Sequence, residues 1–327
     1  MVNRAAASGW PPDAEFAPVG QAFRYELYGL QLDSQIKLPV SESDAAGTAD
    51  LEVRVADIER IDRLCGDAPL LPEAETWYRH AFLGDGGMHL RWEDMFACVV
   101  EGSGRRIWMA SLGAASTESL HVYFLGHAIG VALAVVGEEP LHATVVARPG
   151  RCVALMGESG SGKSTLAAYL VSRGARLVTD DLLRVAIDGP RVSAYPGPRR
   201  IKLMPDSKAR YLGAQAQGVP MHPLSGKYIL PLEADMVYEG PVTLDELILL
   251  DWPEEAVPQP RIETPTPRDA MLRVIAGTCV TRVTDAARLA RQFAFAQELV
   301  ERLPVRRLLQ PNDLDRLPET AALIGFP

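Results

Sequence analysis

One run of residues near the middle of the chain has the composition of a phosphate-binding loop. Gly157-Glu158-Ser159-Gly160-Ser161-Gly162-Lys163-Ser164 matches the pattern G-x-x-x-x-G-K-[ST], and Thr165 follows it. Glycines in such a loop let backbone N–H groups turn toward an oxyanion without a Cβ atom in the way. In this pattern the lysine reaches the β- and γ-phosphates and the serine hydroxyl binds Mg²⁺. The sequence therefore predicts that residues 157–165 bind nucleotide, with Lys163 on the phosphates and Ser164 as a metal ligand.

The residues on either side of the loop support this interpretation. The apolar run 152–156 is typical of a buried strand, and residues 165–171 are typical of a helix. A helix that begins at the loop adds partial positive charge where the phosphates bind. The alternative is a glycine-rich turn that matches by chance, and the strand–loop–helix setting argues against it.

A pair of carboxylates follows the next predicted strand. Residues 176–179 are expected to form a strand beside the P-loop strand, and Asp180 and Asp181 come directly after it. At that position one carboxylate can hold Mg²⁺ and the other can accept a proton from an attacking hydroxyl. The alternative is that the pair only caps a turn or a helix.

Composition excludes some classes of partner. The chain has 327 residues and a formal net charge of −9, which disfavours a nucleic-acid-binding surface. Its four cysteines are scattered, as free thiols are in a reducing cytosol. The apolar stretch 124–136 is too short to span a bilayer, and the N-terminus lacks the apolar core of a signal peptide. We therefore expect a cytoplasmic protein with no membrane or nucleic-acid partner.

The pattern of strands and helices suggests three parts. Residues 1–20 resemble a flexible tail, 21–116 an antiparallel β-rich module, and 117–327 the P-loop domain, which opens with a helix over 117–136. Within that domain, the runs 142–147 and 152–156 are separated by only four residues. This spacing predicts a β-hairpin that leads into the P-loop.

The order of these features resembles a known family. His142, the loop 157–164 and the run Arg176-Leu177-Val178-Thr179-Asp180-Asp181 are similar to the catalytic domain of HPr kinase/phosphorylase, a bacterial enzyme that phosphorylates a serine of a sugar-transport carrier protein. The resemblance implies an α+β or α/β fold: an N-terminal antiparallel β module followed by a P-loop domain akin to phosphoenolpyruvate carboxykinase, with a mixed sheet. It also implies that Asp180 deprotonates the acceptor serine, that Asp181 joins Ser164 as a metal ligand, and that Asp181 and His142 support the geometry of the metal and the carboxylates. Without the resemblance, an isolated histidine such as His142 is more often a core residue.

Four further runs resemble a narrower group, the HPr-kinase-like proteins associated with lasso-peptide biosynthesis. That resemblance implies an ATP- and Mg²⁺-dependent kinase acting on the C-terminal serine of a precursor peptide. The alternatives are a kinase of free serine or a sugar, and a non-catalytic ATP-binding regulator. The oligomeric state stays open. These runs are Tyr28 to Ile36, Glu139 to Ala143, Ala194 to Leu203 and Gly226 to Leu232.

Two cations in these runs are candidate substrate ligands. Arg199 and Lys227 could neutralise the transferred phosphoryl group or bind a peptide carboxylate. The alternative for both is a solvated position on a loop.

Overall fold

The computed structural model describes residues 10–18, 20–71, 77–113, 116–213, 215–222, 225–251, 257–280 and 286–327. The chain divides into two compact units, Met1–Glu138 and Glu139–Pro327. Each unit is considered by itself below.

The first unit contains a seven-stranded sheet with the order β1-β2-β3-β7-β6-β5-β4. The runs 88–92 and 96–100 form strands, with turn-forming glycines before the first run and after the second. The strands are β1 (Phe23–Leu27), β2 (Leu30–Ser34), β3 (Leu51–Val55), β4 (Tyr78–Phe82), β5 (Met88–Trp92), β6 (Phe96–Val100) and β7 (Arg106–Ser111), and a short helix, α1 (Ile58–Cys65), packs on β6 and β7.

This sheet is mixed, which corrects the prediction of an antiparallel module. β2 pairs parallel with β3, and β3 pairs parallel with β7. The hairpins at the glycine-containing turns 84–87 and 101–104 are antiparallel, β4–β5 and β6–β7. Parallel pairs join strands that lie far apart in sequence, through long crossover connections that no local turn signal reveals.

The predicted helix over 117–136 is present as α2 (Thr117–Tyr123), a π-helical turn (Phe124–Ala128) and α3 (Ile129–Val135). It belongs to the first unit, whereas the sequence assigned it to the P-loop domain. The Tyr28 hydroxyl donates a hydrogen bond to the Leu125 carbonyl oxygen at 3.2 Å, and Tyr123 stacks on Trp92 with ring centroids 5.6 Å apart. These contacts tie the helix to the first sheet.

Two further features of the first unit bear on the sequence analysis. Residues 117–135 are long and apolar enough to cross a membrane, but 72% of their apolar window is buried inside the protein, as in a core helix. At the N-terminus, Trp10 and Ala17 are buried and Phe16 forms a β-bridge with Ile36. Residues 10–18 therefore pack on the unit, and the rest of the expected tail, apart from Gly20, lies outside the described residues.

The second unit is built on a six-stranded mixed sheet with the order β10-β8-β9-β17-β19-β18. The predicted hairpin is confirmed, since β8 and β9 pair antiparallel, while β9, β17 and β19 run parallel. Because those three strands are parallel, their carboxyl ends lie at one edge of the sheet. The sheet strands are β8 (Ala143–Arg148), β9 (Arg151–Met156), β10 (Arg176–Thr179), β17 (Glu246–Asp251), β18 (Arg261–Glu263) and β19 (Val305–Leu309).

Alternation along these strands sends apolar side chains to both faces of the sheet. Leu155 and Ile248 join one buried cluster with α4 and α8, and Ala154 and Leu247 join another with α6 and α7. The helices are α4 (Lys163–Ser172), α5 (Pro205–Tyr211), α6 (Pro267–Ala276), α7 (Ala286–Arg302) and α8 (Leu317–Leu323). Two small sheets complete the unit: β11 (Val185–Asp188), β12 (Arg191–Ala194) and β16 (Val242–Thr243); and β13 (Arg200–Leu203), β14 (Val219–His222) and β15 (Ser225–Pro231).

The position of β10 corrects one expectation. The strand that precedes the aspartate pair was expected beside the P-loop strand, but β10 pairs with β8, which lies between β10 and β9. Because β8 and β9 form a hairpin, β8 occupies the position next to the P-loop strand β9. The aspartates must therefore reach the loop across β8.

Candidate functional site

The loop between β9 and α4 needs glycine for steric reasons. A Cβ atom on Gly157 would lie 2.5 Å from the Leu250 carbonyl oxygen and 2.7 Å from Ser161 Oγ. Gly162 caps the N-terminus of α4 in the left-handed conformation, with a φ of +92°. The loop thus curls tightly at the start of a ten-residue helix, whose N-terminal N–H groups favour an anion.

Lys163 is folded back onto its own loop. Its ammonium donates hydrogen bonds to the carbonyl oxygens of Gly157 at 2.7 Å and Glu158 at 2.9 Å. The side chain is largely buried, and this burial lowers the pKa of Lys163, against the opposing influence of Asp180 and Asp181. A polyphosphate in the loop would offer the ammonium stronger acceptors than the two carbonyl groups.

Asp180 links the P-loop to two neighbouring strands. Its Oδ1 accepts hydrogen bonds from the hydroxyls of Ser164 at 2.9 Å and Thr144 at 2.7 Å. Its Oδ2 accepts from the backbone N–H of Lys202 at 2.9 Å. The residue is only 8% exposed, so both carboxylate oxygens are satisfied inside the protein.

Asp181 has different surroundings. Its side chain is 34% exposed, and its Oδ2 forms an ion pair with the Lys202 ammonium at 2.5 Å. Burial by itself would raise the pKa of Asp181, but the charges of Lys202, His142 and Lys227 together hold it well below the usual range. Asp181 is therefore an ionised carboxylate whose strongest partner is a flexible lysine.

His142 lies against the backbone of Asp181. Its Nδ1 is 3.0 Å from the Asp181 carbonyl oxygen, which can only accept, so Nδ1 carries the proton. Burial lowers the pKa of His142, and the nearby Asp181 carboxylate opposes that effect. The histidine thus supports the loop that holds the carboxylate pair.

A buried ion pair fixes the segment that leads into His142. Arg288 of α7 donates to the Glu139 carboxylate through Nη2 at 2.9 Å, and both side chains are at most 1% exposed. Arg288 also donates to the Val280 carbonyl oxygen. The backbone N–H of His142 donates to the carbonyl oxygen of Gly277 at 2.7 Å. Helix α7 is thereby connected to the start of β8.

The side chains of Lys163, Asp180, Asp181 and His142 line one open cavity of about 130 Å³. It brings together most of the predicted site, including Lys227, whose charge also lowers the pKa of Lys163. The lining residues are His142, Thr144, Ser159, Gly160, Gly162, Lys163, Ser164, Thr165, Asp180, Asp181, Lys202, Met204 and Lys227.

Arg199 does not line this cavity. Its guanidinium pairs with Glu239 at 2.7 Å, and the two side chains are 42% and 70% exposed. This placement is that of an ordinary surface ion pair.

Sequence reasoning missed Thr144, Lys202 and Met204 as lining residues. Thr144 follows His142 by two positions, and strand periodicity puts such residues on one face, so this signal was available. Lys202 stands in the run Arg199-Arg200-Ile201-Lys202, where no spacing rule distinguishes one cation from the next.

The described residues fit a nucleotide polyphosphate with Mg²⁺. Glycine at 157 lets the loop pack against the Leu250 carbonyl oxygen, and Gly160 and Gly162 line the cavity. The oxygens of Ser164, Asp180 and Asp181 are the hard donors that Mg²⁺ prefers. Among the described residues, no group of three or more His, Cys, Asp or Glu side chains could hold a metal by itself. A site with few protein ligands suits Mg²⁺, which takes its other ligands from water and substrate phosphates.

Comparisons with known proteins add little to this geometry. No family model and no curated protein matches the chain. One similar solved structure is the HPr(Ser) kinase/phosphatase from Coxiella burnetii, which is 16% identical over 57% of this chain and 94% of that one, with a TM-score of 0.32. That score is too low to support an argument about fold or function.

Proposed function

We propose that this protein is a kinase that uses Mg²⁺ and ATP to phosphorylate an alcohol, with a serine hydroxyl of a peptide or small protein as the acceptor. One observation carries the proposal. The P-loop hydroxyl of Ser164 is hydrogen-bonded to Asp180, and the adjacent Asp181 lines the same cavity as Lys163. A protein that only binds nucleotide has no need of a second carboxylate at this position.

The residues have separate tasks in this mechanism. The P-loop amides and Lys163 hold the phosphates, and Ser164 with one aspartate would hold Mg²⁺, which neutralises phosphate charge when bound. The other aspartate accepts the proton of the attacking hydroxyl. Lys227 adds positive charge beside the transferred group. Catalysis by such a site consists mainly of positioning and charge stabilisation.

The acceptor is inferred from the sequence resemblance. The runs shared with lasso-peptide-associated kinases favour the C-terminal serine of a precursor peptide.

The test is transfer of label from γ-labelled ATP to a panel of acceptors. The panel should contain serine peptides with free and amidated C-termini, free serine and simple sugars. We expect label on a peptide serine, and a loss of roughly 10²–10³-fold in kcat/KM for Lys163→Ala. Lys208→Ala is the matched control, because Lys208 lies over the Tyr228 ring and does not line the cavity.

Other outcomes would select the alternatives. Label found only on small alcohols would favour a small-molecule kinase. Tight ATP binding with no transfer to any acceptor would favour a nucleotide-binding regulator and would contradict the kinase proposal.

A further inference from the structure

Lys202 is the residue that contacts both carboxylates of the site. Its backbone N–H binds Asp180 Oδ2 at 2.9 Å, and its ammonium pairs with Asp181 Oδ2. Since Ser164 Oγ lies 2.9 Å from Asp180, the backbone of Lys202 is only two hydrogen bonds away from the P-loop serine. The Lys202 side chain is 10% exposed and lines the same cavity as Lys163.

The main chain around Lys202 is firmly held. Lys202 lies in β13, where it pairs with Ile229 of β15, and β13 is an edge strand of its sheet. Its N–H points out of that edge to Asp180. A substitution of the side chain therefore leaves the contact with Asp180 in place.

The two aspartates differ in how easily they can change partners. Asp180 is bound by two hydroxyls and a main-chain N–H from three separate elements. The Asp181 carboxylate pairs with one ammonium at the end of a flexible four-carbon chain, and its other oxygen lies 3.5 Å from His142 Nδ1. Its backbone is also unusual, with a φ of +84°. Non-glycine residues in this conformation cost free energy and cluster at functional sites.

The positive charge of the cavity lysines favours the binding of a phosphoryl group. Three lysines, Lys163, Lys202 and Lys227, face two carboxylates. Lys163 is held by loop carbonyls and Lys202 by Asp181. Both ammonium groups would gain from a phosphoryl group with several free oxygens.

We propose that Lys202 is a catalytic residue that exchanges Asp181 for the γ-phosphoryl group of the bound nucleotide, which leaves Asp181 free to act as the base. This inference rests on the proposed kinase function. It assigns proton transfer to Asp181 and leaves Asp180 bonded to Ser164 on the metal side. The sequence resemblance implied the opposite division, with Asp180 as the base.

The chemical step balances without a further reactant. The acceptor oxygen forms a bond to the γ-phosphorus, and the bond from that phosphorus to the β–γ bridging oxygen breaks. The acceptor proton moves to the Asp181 carboxylate, and ADP leaves. Lys202 stays protonated and neutralises the phosphoryl oxygens throughout.

A binding experiment isolates the contact with the γ-phosphoryl group. Calorimetry with AMP-PNP and with ADP, each with Mg²⁺, should be run on the wild type and on Lys202→Met. We expect AMP-PNP to bind roughly ten- to hundredfold more weakly to the variant, with ADP affinity unchanged within about twofold. Lys202→Arg keeps a cation and should recover part of the loss, and Lys208→Met should behave as the wild type.

A second variant separates this role from a merely structural one. If Lys202 only neutralises Asp181, then Asp181→Asn/Lys202→Met should bind AMP-PNP as tightly as Asp181→Asn does. Under the proposal the double variant binds AMP-PNP as weakly as Lys202→Met.

Two further results would overturn the inference. Equal affinities of the wild type and Lys202→Met for AMP-PNP, with transfer intact in the wild type, would refute the role of Lys202 and leave the kinase proposal standing. A wild type that binds neither nucleotide would refute both.

Discussion

At the scale of single residues, the site depends on two adjacent carboxylates in unlike environments. Asp180 is 8% exposed and bonded through both oxygens. The Asp181 side chain is 34% exposed, pairs with the Lys202 ammonium and lies 3.5 Å from His142 Nδ1. Two neighbouring carboxylates with different surroundings differ in pKa, so one can serve as a metal ligand and the other as a base. The surroundings favour Asp180 near the metal and Asp181 at the acceptor.

This division predicts different effects for two matched variants. Asp181→Asn should lower kcat by roughly 10²–10⁴-fold, because a positioned base is lost, and should keep AMP-PNP affinity within a few-fold. Asp180→Asn should raise the Mg²⁺ concentration needed for half-maximal nucleotide binding. An asparagine can still accept from the Lys202 N–H and donate to the two hydroxyls, so the local structure should persist. Calorimetry across a Mg²⁺ series, combined with turnover assays, measures both effects.

The opposite effects of the two variants would support Asp180 as the base, which is the role that the sequence resemblance implies. If Asp180→Asn abolished transfer with normal Mg²⁺ dependence while Asp181→Asn weakened metal-dependent binding, Asp180 would be the base.

At the scale of elements, the sequence predicted the features that depend on local residue pattern, such as where a strand begins and ends. The strand 176–179 has the predicted bounds, and the hairpin strands predicted at 142–147 and 152–156 differ from β8 and β9 by no more than one residue at either end, because their apolar residues lie next to turns or helix ends. The partner of each strand was harder to predict. The place of β10 next to β8 and the parallel pairing of β3 with β7 depend on contacts between distant segments. For the same reason the sequence found the aspartates and missed Lys202, which reaches them only through the edge of β13.

The link between α7 and the site can be tested through its buried ion pair. Arg288→Met should lower the free energy of unfolding by about 3–5 kcal/mol, because it leaves the Glu139 charge buried without its main partner. Glu139→Leu/Arg288→Met should regain most of that loss, since apolar pairs often replace buried ion pairs with little change in stability. Urea denaturation measures both values. A double variant as unstable as the single one would show that the loss arises from packing around α7.

At the scale of the whole molecule, each unit has a hydrophobic core of its own. Ile61, Ala97 and Val99 belong to a buried cluster of the first unit, and the central sheet of the second unit lies between two further clusters. All the residues of the proposed nucleotide site belong to the second unit. A ligand stabilises the structure that binds it, by about 2.7 kcal/mol at a hundred times its Kd.

Nucleotide should therefore protect one unit selectively. In hydrogen–deuterium exchange with Mg²⁺ and AMP-PNP, we expect slower exchange at residues 157–164 and 200–203 and in the strands of the central sheet, because opening these segments would release the ligand. Exchange in β5 and β6 of the first unit should not change, since Ala97 and Val99 of β6 pack in a cluster made of first-unit residues. Lys163→Ala is the control and should remove the protection at the same ligand concentration. Equal slowing of β5 and β6 would contradict the prediction, because it would mean that the two units open together as one cooperative structure.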